Sequence, residues 1–219
     1  MRRILLFLFF PLSFSHAQLA GDIDPKFNPQ DVGFGLGEGF NGKVECVVEQ
    51  PDGKWLVGGK FTAYNGVKRF GLCRLNADGS LDPTFNNGIG LDQPNVRTIR
   101  LLPDGKILVG GDFTKYNNIS KLSLCKLLPT GAIDPAFLYP SLTNKIYGEI
   151  NSIGIQSDGK IVLGGFFRYP TMFDVGKGIH RLNADGTVAT NQISTGFRGD
   201  NPSTQSGFIQ KIQIELNHC

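Results

Sequence analysis

Aspartate is the residue type whose placement here first suggests chemistry. Asp52, Asp104 and Asp158 each precede Gly-Lys, and Asp82 and Asp134 each precede Pro-x-Phe. Calcium sites are built from oxygen ligands at several alternating positions of one compact loop. Asp52, Asp78 and Asp82 of a single copy form no such loop. A turn aspartate that bonds its own backbone two residues on explains the pattern more cheaply. Cys73 and Cys125 share one slot in successive copies, where a third copy has His180, while Cys46 and Cys219 lie elsewhere. A disulfide needs Cα atoms within about 7 Å, whereas stacked sheets stand about 10 Å apart. Buried free thiols that fill apolar space are therefore expected. Zinc held by Cys73, Cys125 and His180 is disfavoured on the same ground, because a structural site wants four close ligands. His180 has no serine or cysteine partner identifiable by spacing, and His16 and His218 stand near the two ends, so no nucleophile–base pair is recognised. Residues 33–39 are glycine-rich but lack the Gly-Lys-Ser/Thr ending of a phosphate loop. No catalytic residue, cofactor or metal is expected.

Tyr64-Asn65 and Tyr116-Asn117 are a different kind of candidate. An aromatic ring beside an amide on an inter-strand loop could stack on and hydrogen-bond a sugar or a peptide. These four are the candidate ligand-facing residues. Their regular recurrence supports a competing reading, a contact between neighbouring structural units. Asn118-Ile119-Ser120 satisfies the glycosylation sequon, which marks an exposed loop.

The elements that must position these residues are repeats. Residues 50–85 read QPDGKWLVGGKFTAYNGVKRFGLCRLNADGSLDPTF, and residues 102–137 read LPDGKILVGGDFTKYNNISKLSLCKLLPTGAIDPAF. A third copy opens with SDGKIVLGGFF at Ser157 and runs through Leu182 to Val188. The period of about fifty residues suits one blade of a β-propeller. Each copy parses into two hairpins. A short strand carries apolar slots three residues apart (Val44/Val47, Val96/Ile99, Ile150/Ile153) and is expected to be buried on both faces. Asp-Gly then predicts a type I′ turn, with positive φ at Gly53, Gly105 and Gly159. The runs Trp55-Leu56-Val57, Ile107-Leu108-Val109 and Ile161-Val162-Leu163 fit a strand between packed layers. Each ends in Gly-Gly, which permits close backbone approach or a positive-φ bend. Third strands at 72–75, 124–127 and 179–182, a second glycine-bearing turn, and a short outer strand at 81–85 complete four strands per copy.

Two copies are partial. Asp22-Ile23-Asp24-Pro25-Lys26-Phe27 matches the ending Ser80–Phe85 of a full copy and is expected to complete the last blade and close a ring. Residues 209–216 match the opening strand, and Asn217-His218-Cys219 fall where Asp-Gly-Lys is due, suggesting a longer gene product. The third copy lacks the Leu-Asp-Pro-x-Phe ending, and its loop at 168–178 lacks the Thr and Tyr-Asn signature. The domain organisation read from this is 18–42 a partial repeat tail and linker, blades at 43–91, 95–142 and 150–197, and 208–219 the start of a fourth repeat.

Before all this stands Arg2-Arg3, an apolar run over 4–14 and Ser15-His16-Ala17, which reads as a secretory signal peptide over 1–17. The run is too short for a bilayer span of about 20 residues. Its removal lowers the formal net charge from +3 to +1, which offers no electrostatic grip on nucleic acid. The combination QPDGK-x-LVGG-x-FT…RLNADGSLD-x-x-F resembles the delta-60 repeat, a β-propeller repeat of secreted bacterial proteins. The resemblance spans most of residues 44–192 and implies an all-β, propeller-type fold of about three four-stranded blades with partial repeats at both ends, in an extracytoplasmic setting. It implies no catalytic residues. The expected function is a secreted, non-catalytic binding or adhesion module for a protein or glycan ligand, with self-association through open blade edges. A purely structural repeat array and a secreted propeller enzyme are the alternatives.

Overall fold

The computed structural model describes residues 26–28, 39–85, 88–139, 147–168 and 175–189. The segment 1–17 read as a signal peptide, Asp22–Pro25, the tail beyond 189 and the partial repeat with His218 and Cys219 lie outside the described residues. Among the described residues there are strands and turns and no helix. The strands are β1 (Lys43–Glu49), β2 (Trp55–Lys60), β3 (Ala63–Tyr64), β4 (Val67–Lys68), β5 (Leu72–Leu75), β6 (Val96–Leu101), β7 (Ile107–Gly111), β8 (Lys115–Tyr116), β9 (Ile119–Ser120), β10 (Leu124–Leu127), β11 (Tyr147–Ile155), β12 (Ile161–Arg168) and β13 (Val175–Leu182). They form three antiparallel sheets, ordered β1-β2-β5, β6-β7-β10 and β11-β12-β13, one per repeat. The small hairpins β3–β4 and β8–β9 stand beside the first two.

The outer strand of each blade shrinks to a single bridge, Leu75↔Leu81, Leu127↔Ile133 and Leu182↔Val188. The sequence says why. Asp82 turns the chain by accepting the Thr84 N–H at 2.8 Å, and Pro83 has no N–H to extend a ladder. The four-strand blade is therefore three ladder strands and a one-residue fourth.

Both turns of every repeat have the same construction. The N–H of Gly53 reaches the Gln50 carbonyl at 2.9 Å, and the N–H of Gln50 reaches Lys54 at 2.8 Å. Gly105 and Gly159 repeat this, and so do Gly79, Gly131 and Gly186 in the second turns. The glycines have φ between 77° and 89°, as expected for the first three. The expected type I′ turn is corrected: Asp52 has no positive φ, and Pro51 is locked near −65°. The turn is type I closed by a left-handed glycine, the three-residue hairpin loop.

The three-residue spacing of apolar slots has a geometric cause. Each opening strand carries a β-bulge, between Val44 and Cys46, Val96 and Thr98, and Ile150 and Ser152. The extra residue breaks strict alternation, so positions three apart can face the same side. The glycine pair serves two separate close approaches, neither through positive φ. A Cβ on Gly58 would meet Val96 Cγ1 of the next blade at 2.5 Å, and on Gly110 it would meet Ile150 Cγ2 at 2.8 Å. A Cβ on Gly59 would instead meet its own blade's Lys43 carbonyl at 2.1 Å. The first glycine fits blade to blade and the second fits the bulge.

The core lies between the sheets. One cluster joins Leu56 and Leu72 of the first sheet to Val96, Ile99, Ile107 and Leu127 of the second. Another joins Leu108 and Leu124 to Ile150, Ile153 and Leu163 of the third. At about 25 cal/mol per Å² of apolar surface removed from water, these inter-sheet clusters are the main stabilising contribution. The middle strand β7 is buried along its whole length, as its unbroken apolar run predicts. The third blade departs from the others: β12 and β13 pair in register from Ile161↔Leu182 to Arg168↔Val175. Its third strand is therefore longer than expected from the sequence.

Candidate functional site

The aspartates are consumed by the turns. Asp52, Asp104 and Asp158 each accept the N–H of the lysine two residues on, at 3.1–3.2 Å. Asp78 and Asp185 accept from Ser80 and Thr187 at 2.9 Å. Asp82 is buried and does more. Its Oδ2 takes Lys54 Nζ and Arg74 Nε, each at 2.8 Å, and its Oδ1 takes the Thr84 N–H and hydroxyl. Burial alone would raise its pKa, but the bonds from Lys54, Thr84 and Arg74 outweigh it and hold the carboxyl well below the usual range. Arg74 continues outward: Nη1 donates to the Pro129 carbonyl of the next blade at 2.7 Å, and the guanidinium lies 4.8 Å from the Phe85 ring centroid. Asp134, with Lys106 at 3.1 Å, is the simpler copy. Ala189 fills the slot in the third blade. These carboxylates are structural anchors.

Cys73 and Cys125 are buried free thiols, and burial pushes each up to about 12. A thiol so held is not a nucleophile at neutral pH. Cys46 is likewise free and raised to about 12 by burial. His180 stands edge-on to Phe167 with ring centroids 4.3 Å apart. Among the described residues no three His, Cys, Asp or Glu side chains converge to hold a metal ion.

Of the four candidate ligand-facing residues, the two tyrosines require a correction. Tyr64 and Tyr116 are 2% and 0% exposed, and their hydroxyls donate to the Gly79 and Gly131 carbonyls at 2.7 Å. Neither ring presents a face to a ligand. Asn65 and Asn117 adopt left-handed φ of 46° and 51° at hairpin tips. Each binds the strand-entry segment by backbone and side chain, Asn65 to Gly39 and Asn117 to Gly90. The recurrence of Tyr-Asn reflects joints, because a buried tyrosine must find a partner for its hydroxyl. That partner is a backbone carbonyl fifteen residues on, which side-chain spacing cannot reveal.

What the loops do expose lies two or three residues further along. Val67 in β4 and Ile119 in β9 are 45% and 54% exposed at equivalent places on successive blades. Lys68 and Lys115 are exposed on the same hairpins. Nothing in the repeat signature marks these positions, since both apolar residues are ordinary strand formers. Between the second and third blades lies a cavity of about 220 Å³ lined by Asp112, Thr114, Ser123, Glu149 and Phe166. It is smaller than the roughly 300–1,000 Å³ of small-molecule pockets. Glu149 is paired with Arg97 at 2.8 Å, and the Ser123 hydroxyl bonds the Gly148 carbonyl. Both are engaged in the blade-to-blade joint.

Three sheets in sequence, bulged inner strands and glycine-seated blade contacts define a β-propeller repeat protein. Residues 50–85, 102–137 and 156–188 match the model of a family described as "Domain of unknown function (DUF5122) beta-propeller". The matched segments fall on the three repeats, each starting at the first turn and ending at or just beyond the outer bridge. No curated protein matches the chain.

Proposed function

We propose that this chain is a secreted, non-catalytic binding module of the delta-60 type, which engages a protein or glycan through the hairpins β3–β4 and β8–β9. The observation that carries this reading is the repeated exposure of a β-branched residue at equivalent places on neighbouring blades, Val67 and Ile119, with an exposed lysine elsewhere on each hairpin. Function on a rigid repeat scaffold concentrates on its loops. The polar residues that could have served catalysis are bonded within turns and joints. Secretion rests on the basic, apolar and small-residue order of residues 1–17. The test is to display the mature chain against glycan and peptide arrays, alongside the variant Val67→Ser/Ile119→Ser. A ligand retained by the wild type and lost by the variant supports the reading. Binding that is unchanged in the variant places the ligand elsewhere, and hydrolytic activity on any arrayed substrate overturns the non-catalytic assignment. The extent to which polar side chains are spent on joints favours a second reading, a structural repeat array, and no ligand at all on the arrays would support it.

A further inference from the structure

Beyond the hairpin tips, the second glycine turn of blade 1 receives a segment from the preceding partial repeat. Asn28, from the partial repeat that precedes blade 1, donates its N–H to the Asp78 carbonyl at 2.6 Å. Phe27 lies over the second turn: a Cβ on Gly79 would meet its ring at 3.1 Å. Asn28 also accepts from Asn65 Nδ2 at 2.7 Å, and it is 8% exposed. The tail of the second repeat docks on blade 3 by the same backbone bond, with its phenylalanine buried where Phe27 is half exposed. The Leu138 N–H reaches the Asp185 carbonyl at 2.7 Å, and the Phe137 ring lies 2.7 Å from the place of a Gly186 Cβ. The residue after the phenylalanine tracks the sequence of the receiving loop. Phe27-Asn28 meets a blade with the hairpin amide Asn65, and Phe85-Asn86 precedes a blade with Asn117. Phe137-Leu138 precedes the one blade whose loop has no Tyr-Asn pair. There the tail supplies its own aromatic, Tyr139, stacked on Phe137 at 6.3 Å between centroids.

We propose that the second glycine turn of blade 1, together with Tyr64 and Asn65, is a peptide-recognition site for a Phe-Asn segment. Residues 26–28 are its resident occupant, and a partner carrying the same segment is the ligand it fits. The parts divide the labour. Gly79 leaves room for the ring because it has no Cβ, and the Asp78 carbonyl takes the backbone N–H. Asn65 reads the amide after the phenylalanine, and the Tyr64 hydroxyl fixes the turn from behind through the Gly79 carbonyl. A hydrogen-bonding receiver discriminates against an apolar analogue because its own polar groups are then left unpaired.

The test uses the mature chain with Phe27→Ala/Asn28→Ala, titrated with a labelled peptide of residues 22–30 and followed by fluorescence anisotropy. Saturable binding to this variant is expected, with binding to the wild type suppressed because its site is filled. Adding Asn65→Ala should weaken binding about tenfold, and so should a Phe-Leu peptide, each having lost one or two hydrogen bonds. A Phe→Ala peptide should not bind. A folded variant that ignores the peptide at millimolar concentration overturns the proposal, and so does equal affinity for the Phe-Asn and Phe-Leu peptides. If the variant does not fold, the titration is run on wild-type chain nicked by a protease within residues 29–38, where labelled peptide must exchange with the resident segment. Absence of exchange there overturns the proposal equally. None of these readouts depends on Val67 or Ile119, so this site and the hairpin surface fail separately.

Discussion

Asp82 shows how one side chain can tie a repeat together. It joins the first turn through Lys54, the third strand through Arg74 and the outer turn through Thr84. Its pKa is depressed in the folded chain, so the unfolded state binds the proton more readily. The stability it contributes is present above the ordinary carboxylate pKa of about 4 and is lost as pH falls through the depressed folded value. Asp82→Asn should cost roughly 2 kcal/mol at pH 7, less than the 3–5 typical of a fully buried pair, because Lys54 is partly in water. Urea unfolding at pH 7 and pH 3 checks this. The variant should lose less stability than wild type over that interval, and equal losses would show that the carboxylate is not the acid-sensitive group. Gly53 makes a different demand at the same scale. A Cβ there would meet only the Ala77 Cβ at 3.8 Å, so space is free and the φ of 77° alone is at issue. Gly53→Val should lower stability by about 1 kcal/mol or more, read from the denaturant midpoint. An unchanged midpoint would mean that the turn can be rebuilt with negative φ.

The elements show which features were readable in advance. Turn glycines, turn aspartates and the apolar middle strand were legible because each follows from local chemistry carried by the residue itself. The bulge was visible only as a spacing that fitted neither period, since an unpaired residue is defined by its partner strand. The tyrosines were ambiguous for a related reason: recurrence alone does not distinguish a ring aimed at a ligand from one whose hydroxyl is held by its own repeat's backbone. The glycine pair was legible as a need for room, and the structure separates that need into two joints. Gly58→Ala tests the inter-blade half. The new methyl would press on Val96 Cγ1, Cys46 Sγ and Ile99 Cδ1, an overpacking that should cost roughly 1–3 kcal/mol. Val96→Ala should cost about 1–2 kcal/mol alone by leaving a cavity. Combined, the two should recover at least about 0.5 kcal/mol relative to their sum, since they compete for one volume. A double-mutant cycle in urea measures this, and strict additivity would place the strain of Gly58→Ala elsewhere.

At the scale of the molecule, the three blades use one joint in three circumstances. Ile99 and Ile153 sit over the glycine of the preceding blade and are 7% and 2% exposed, whereas Val47 in the same slot of the first blade is 52% exposed. Stability in such an array is close to a sum over units and nearest-neighbour joints, so equivalent residues should not be equivalent energetically. Ile153→Ala should cost about 2–4 kcal/mol by opening a cavity in a packed joint. Val47→Ala should stay within about 0.5 kcal/mol, as a surface change does. The open slot also exposes apolar surface shaped to meet a blade, and exposed apolar surface of this kind favours association. In sedimentation velocity the chain without residues 1–17 should therefore run faster as concentration rises. Val47→Lys should remain monomeric without loss of its unfolding midpoint, because the charge is placed where a second blade would sit. If wild type and Val47→Lys sediment identically at every concentration while Ile153→Ala is destabilised as expected, the joint is a device of the interior alone, and the face of the first blade does not recruit a partner.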